Sequence, residues 1–197
     1  MRAVEPGAGD EAPPGVALGA CPVDVVELVA LREREYVLKA LTGRRGVSLP
    51  HFGRLAAAGD TLALCVRPQR WLLLSAPLAP GLTAAAWQAP CAGMAAVVDL
   101  SSALVAVHLS GPRAREALAR SCRLDLDPDV FPPGHAAATI MAQVGAILAA
   151  VPAGMLILTP ASTARHLHEW LVSAARPFGL APRADVSVAA LAGGSHS

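Results

Sequence analysis

Residues 136–164 contain no charged side chain, and residues 71–98 contain none either. A stretch of that kind either crosses a membrane, for which about 20 apolar residues suffice, or is buried inside the protein. In 136–164, Gln143, Gly145, Pro152 and Gly154 cut the run into pieces of strand length. Tight turns carrying glycine and proline suit buried sheet better than one continuous helix. Pro77, Pro80, Gly81 and Pro90 interrupt the other run in the same way. We therefore expect buried sheet and no membrane partner. Alternate residues of a strand face opposite sides, so large ones such as Met155, Leu156, Ile157 and Leu158 must be covered by a helix, by the rest of the chain or by a partner. Only 16% of residues are charged, below the usual quarter or so. With few and short helices, this predicts an exposed apolar patch on the order of several hundred Å² and a chain that behaves poorly as a monomer.

The chain is organised around residues 98–134, which read as strand, turn, strand, helix and a proline-closed loop. Ser101 and Ser102 form the turn, with Asp99 capping it. Residues 103–109 alternate Leu104, Ala106 and His108 with Val105, Val107 and Leu109. Ser110 or Gly111 can cap the helix that follows, with Pro112 at its first position. Ala114, Ala117 and Leu118 share one helical face, and Glu116 and Arg120 stand as an i,i+4 pair on the other. Pro128, Pro132, Pro133 and Gly134 forbid regular structure in the loop.

Residues 1–22 hold Pro6, Pro13, Pro14, Pro22 and several glycines, and read as a disordered arm. Residues 25–31 read as a strand, 36–41 as a helix, 46–50 as a short extended piece, and 61–66 with 71–75 as a hairpin about Arg67-Pro68-Gln69-Arg70. A short helix at 82–88 and a strand at 95–99 complete this half. In the second half, strands at 103–109, 137–144, 146–151 and 155–158 accompany the helix at 112–120. A further helix has Thr159 as cap and Pro160 first, with Leu167, Trp170, Leu171 and Ala174 on its apolar face. Pro177 ends it, and 184–190 reads as a last strand. The fold class is α+β, with two split βαβ halves, each β-α-β-β-α-β, at about 24–99 and 103–190. They lie inside a domain of residues 23–191, followed by a flexible tail at 192–197.

A net charge of +1 leaves no basic field for nucleic acid. Glu5, Asp10 and Glu11 interrupt any secretory signal, so the expected location is cytoplasmic. Cys21, Cys65, Cys91 and Cys122 form no CxxC and match no zinc or disulfide framework, so they read as isolated reduced thiols. His166 and His168, two apart on a helix, point to different sides and read as surface residues. His108 reads as a hydrogen-bonded or exposed histidine; His51 and His135 fall in loops and His196 in the tail. Asp125, Asp127 and Asp129 read as turn carboxylates, since no EF-hand loop follows. Arg113 beside a helix start is a weak anion signal. No Gly-x-Gly-x-x-Gly follows a strand, and no nucleophile–base set can be read from residue order. We therefore assign no catalytic, cofactor-binding or metal residue.

Asp99-Leu100-Ser101, Leu109-Ser110-Gly111-Pro112-Arg113-Ala114, Asp125-Leu126 and Phe131-Pro132-Pro133-Gly134 together resemble the central signature of the gamma subunit of heterotetrameric sarcosine oxidase. That family lies in the aminomethyltransferase superfamily. Arg67-Pro68-Gln69-Arg70-Trp71-Leu72-Leu73-Leu74 and the helix of 159–170 are similar to flanking segments of the family. The resemblance covers roughly residues 24–180. It implies an aminomethyltransferase folate-binding-domain-like fold. It also implies a non-catalytic role in a complex that oxidatively demethylates sarcosine, or a related N-methyl amino acid, to glycine with hydrogen peroxide production. It places FAD, FMN, NAD and tetrahydrofolate on partner subunits (the larger alpha and beta, with delta), and none on this chain. The rivals are a free-standing folate-binding aminomethyltransferase-like protein, an iron–sulfur assembly factor, whose Lys-Gly-Cys-Tyr-x-Gly-Gln motif does not occur here, and a membrane-associated structural protein.

Overall fold

The structure, a computed structural model, describes residues 14–31 and 34–193. The strands are β1 (Val16–Ala20), β2 (Asp24–Ala30), β3 (Arg54–Ala58), β4 (Thr61–Arg67), β5 (Arg70–Ser75), β6 (Ala95–Asp99), β7 (Leu104–Ser110), β8 (Ala136–Met141), β9 (Val144–Val151), β10 (Gly154–Pro160) and β11 (Leu180–Pro182). The helices are α1 (Glu35–Arg44), α2 (Leu82–Cys91), α3 (Ala114–Ala119), α4 (Ala164–Ala175) and α5 (Val188–Ala192). They build a five-stranded sheet, β3-β4-β5-β2-β6, and a six-stranded sheet, β11-β1-β7-β10-β9-β8. All pairings are antiparallel except β1 with β11.

Period-two alternation sorts the apolar residues into three layers of core. On β5, Leu72 and Leu74 face the other sheet while Trp71 and Leu73 face α1 and α2. On β10, Leu156 and Leu158 face the other sheet while Met155 and Ile157 lie under α3 and α4. Leu62 and Leu64 on β4, and Ala149 and Val151 on β9, fill the same inter-sheet layer. The architecture is therefore helix, sheet, sheet, helix, with α5 inserting Val188 and Leu191 into the central layer. The uncharged run 136–164 is largely β8, β9 and β10, and most of its large apolar residues are covered from within the chain, Ile140 on β8 being the exposed exception. Met155, Leu156, Ile157 and Leu158 are each at most 1% exposed, so the outward patch expected from them is not there. No helix among the described residues is long and apolar enough to cross a membrane.

Turn chemistry sets the registers. Arg67 pairs with Arg70 around Pro68 and Gln69, with Gln69 at φ 60, as a turn with proline at its second position and a left-handed third residue requires. Met141 pairs with Val144 around Ala142 (φ 48) and Gln143 (φ 66), the two-residue geometry that matches strand twist.

Several expectations are corrected. Val16–Ala20, assigned to the disordered arm, is a strand, because it supplies the antiparallel partner that β7 lacks. It stands where a split βαβ half would put its own last strand, and β11 pairs beyond it. Residues 1–13 and 194–197, which hold the rest of the arm and most of the tail, lie outside the described residues. Residues 46–50, read as a short extended piece, lie outside the strands and place Val47 and Leu49 in the core beneath the helices, and β3 follows. Residues 184–190 do not form a strand either. Ser187 accepts from the Ala190 N–H at 3.2 Å and starts α5. Pro112 lies in the turn before α3, which Arg113 precedes directly. Pro160 closes β10 opposite Leu104, and a 3-10 turn, Ala161–Thr163, separates it from α4.

The two sheets are joined at β3 and β8. Leu55 N donates to Gly134 O at 2.9 Å and Ala136 N donates to Gly53 O at 3.0 Å. Gly53 (φ 76) and Gly134 (φ 93) have the same left-handed backbone. The segments 53–55 and 134–136 are thus related by an approximate two-fold axis.

Candidate functional site

The central segment spends its polar groups on holding turns. Asp99 accepts from the Ser101 N–H at 2.9 Å, and these hydrogen bonds hold its carboxyl below the ordinary range. Ser101 Oγ in turn accepts from Val25 N at 3.1 Å, tying the turn to β2. Arg113 donates to both carboxylate oxygens of Glu116, at 2.6 and 2.8 Å, and lies over the Phe178 ring at 4.9 Å. Glu116 therefore pairs with Arg113 instead of Arg120, and Arg113 is not free to meet an anion. Arg115 donates to Leu126 O at 2.7 Å and Phe131 O at 2.9 Å, binding the proline loop to α3. Asp125 and Asp127 each accept from the backbone N–H two residues on, at 3.0 and 2.9 Å, as turn-forming aspartates do. Among the described residues no group of three His, Cys, Asp or Glu side chains could hold a metal.

His108 departs from expectation. It is fully buried, and neither ring nitrogen has a hydrogen-bond partner. Burial, then the Arg183 guanidinium, push its pKa down to about 4; the Ala153 carbonyl approaches and opposes this without reaching hydrogen-bond geometry. Arg183 is held nearby by donating to Ser110 Oγ at 2.8 Å. Nothing in sequence order distinguishes this histidine from a paired one.

The other histidines are separate. His135 sits beside Arg54 and Phe131, and His51 is exposed in a loop. His166 and His168 are both exposed on α4, and His166 Nε2 lies 3.0 Å from Ala142 O. His196 lies outside the described residues. Cys21, Cys65 and Cys91 are buried free thiols. Burial raises all three, Cys21 to about 11 with Asp185 adding to the effect. They are therefore held as thiols, which are poor nucleophiles. Cys122 is half-buried and free.

The β8–β9 tip is clamped from two sides. Ala142 N donates to Ser121 Oγ at 3.1 Å while its carbonyl meets His166. Beside it, the segment after α3 (Ser121 and Arg123) and α4 leave a shallow pocket of about 540 Å³. Sequence reading did not bring Ser121, Gln143 and His166 together; the only available signal was the unusual Ala-Gln pair at a two-residue turn.

This layered arrangement of two sheets between helices belongs to the aminomethyltransferase-like class. The glycine cleavage system aminomethyltransferase T from Bartonella henselae matches it with a TM-score of 0.64 at 15% identity, over 89% of this chain and 49% of that one. The chain belongs to the sarcosine oxidase gamma subunit family, whose profile matches residues 35–176. A sarcosine oxidase subunit gamma from Arthrobacter sp is 31% identical over 142 residues, 71% of this chain and 70% of that protein. A chain of the heterotetrameric sarcosine oxidase from Corynebacterium sp. U-96, in complex with pyrrole 2-carboxylate, matches with a TM-score of 0.73 at 28% identity, over 84% of this chain and 86% of that one.

Among the described residues the buried polar and charged side chains are Thr42, Thr83, His108, Ser110 and Thr159, with no carboxylate, and leucine, valine and alanine fill the layer between the sheets.

Proposed function

We propose that this chain is the gamma subunit of a heterotetrameric sarcosine oxidase-type complex, with no active site of its own. The complex removes the N-methyl group of sarcosine, or of a related N-methyl amino acid, to give glycine and hydrogen peroxide. The observation that carries this is the family match over residues 35–176, joined to a fold match over most of both chains. Oxidising an N-methyl amine withdraws two electrons. The thiols are the side chains here with redox chemistry in reach, and burial holds three of them protonated. As the resemblance to the family implies, FAD, FMN, NAD and tetrahydrofolate belong to the larger alpha and beta subunits, with delta completing the assembly. The buried free thiols suit a reducing compartment, so we place the complex in the cytoplasm.

Purification of a tagged chain from its native host tests this. Larger flavin-bearing chains should co-purify, and the assembly should release peroxide when given sarcosine. A pure single chain that oxidises sarcosine, or that carries stoichiometric flavin, would overturn it.

A further inference from the structure

The pocket beside the β8–β9 tip is walled by Ser121, Arg123, Ile140, Gln143, His166 and Trp170. Its floor is held from two sides: Ser121 Oγ accepts from Ala142 N, and His166 Nε2 lies 3.0 Å from Ala142 O. One wall is apolar: Ile140 is 44% exposed, and Trp170 is half-buried against the core. Arg123 is exposed and, among the described residues, has no carboxylate within ion-pairing distance. No Asp or Glu lines the pocket. The site is thus a shallow seat with positive charge on one side and an aromatic-aliphatic surface on the other.

We propose that this seat receives an acidic segment of a larger subunit of the complex. One carboxylate of that segment meets Arg123, and a neighbouring apolar side chain packs on Ile140 and Trp170. The inference rests on the gamma-subunit reading above. A free small anion would meet Arg123 in open water, where an exposed ion pair is worth little. A macromolecular segment covers that pair from solvent and buries the apolar wall in the same step. Arg and Trp at a desolvated centre are the residue types that most often carry interface energy.

The test uses the assembled complex. A photo-crosslinking residue in place of Ile140 should join this chain to a larger subunit, at a segment containing Asp or Glu. Arg123→Glu should lower recovery of the larger subunits about tenfold or more, with the loss largely restored by Arg123→Lys. Tyr36→Ser, 83% exposed on α1, should leave recovery unchanged. Thermal melting of Arg123→Glu alone should match the parent, because Arg123 is exposed. A crosslink only to a second copy of this chain, no crosslink at all, or full recovery with Arg123→Glu overturns the docking surface while leaving the subunit reading intact. If the unmodified chain recovers no flavin-bearing subunit, the subunit reading falls and the docking surface falls with it.

Discussion

Arg54 and His135 occupy equivalent positions in the two halves and meet across the approximate two-fold axis, with Arg54 Nη1 3.1 Å from His135 Nδ1. The same nitrogen lies 3.1 Å from Pro132 O. It cannot accept from Arg54 and donate to Pro132 at once, so the exposed side-chain pair is a weak tie. The backbone bonds on either side, Leu55 N to Gly134 O and Ala136 N to Gly53 O, do the joining.

The first prediction follows from that division. Arg54→Ala should cost less than about 1 kcal/mol, whereas Ala136→Pro, which deletes a junction donor, should cost about 3 kcal/mol or more. Urea midpoints of the two variants decide it. Equal midpoints would show that the junction does not depend on its backbone bonds.

The second concerns acid stability. His108 has an ordinary value of 6.5 and is pushed down to about 4 in the folded chain. Above pH 6.5 the ring is neutral in both states and contributes no slope. Between 6.5 and about 4 the unfolded chain binds a proton that the folded chain refuses, so stability falls as pH falls. The full loss is about 3 kcal/mol. His108→Leu should flatten that part of the profile and leave stability at pH 7 equal or higher, since an unpaired polar ring is removed. Parallel profiles for the two proteins would contradict this.

Gly154 supplies the third. Its φ is 140, and a β-carbon there would press on the Leu109 carbonyl oxygen and lie 3.1 Å from His108 Nε2. Gly154→Ala should destabilise by about 2 kcal/mol or more. Gly145→Ala, with nothing within 4 Å of the new carbon, should stay within about 0.5 kcal/mol of the parent. Melting temperatures separate the pair, and a neutral Gly154→Ala would mean that β10 can shift away from β7.

The fourth returns to the β8–β9 tip. Gln143 sits at φ 66, so Gln143→Gly should stabilise the isolated chain by up to about 1 kcal/mol. Ser121→Ala should destabilise it by about 1 kcal/mol through the lost acceptor for Ala142 N. Opposite signs in a thermal melt are the expected result; the same sign for both would remove the strained-and-clamped description.

Much of the fold was legible because turn chemistry and alternation agree in the middle of the chain. Pro68-Gln69 and Pro152-Ala153-Gly154 mark hairpins, and the apolar residues of β5 and β10 divide cleanly between two faces. Short elements were less legible. Val-Ala-Leu-Gly-Ala in β1 is weak in strand formers and follows prolines; a partner about ninety residues away decides its state. Arg-Leu-Ala-Ala-Ala in β3 lacks β-branched side chains. The start of α5 did carry a signal, Ser187 with Val188 and Leu191 three apart, but the alternation of 184–190 outweighed it. For the site, residue types were readable and neighbours were not. His108 without partners, and Arg123 beside Trp170, are products of tertiary placement.

The position of β1 between β7 and β11 has a consequence for synthesis. The five-stranded sheet uses residues 24–99 and can close once they have left the ribosome. The six-stranded sheet needs β1 and β11 side by side, although about 160 residues of chain separate them. During translation β1 must therefore stay unpaired at least until β7 has been made, and its other edge waits for β11. Because long-range pairing of this kind slows folding, the six-stranded sheet should close more slowly than the five-stranded one.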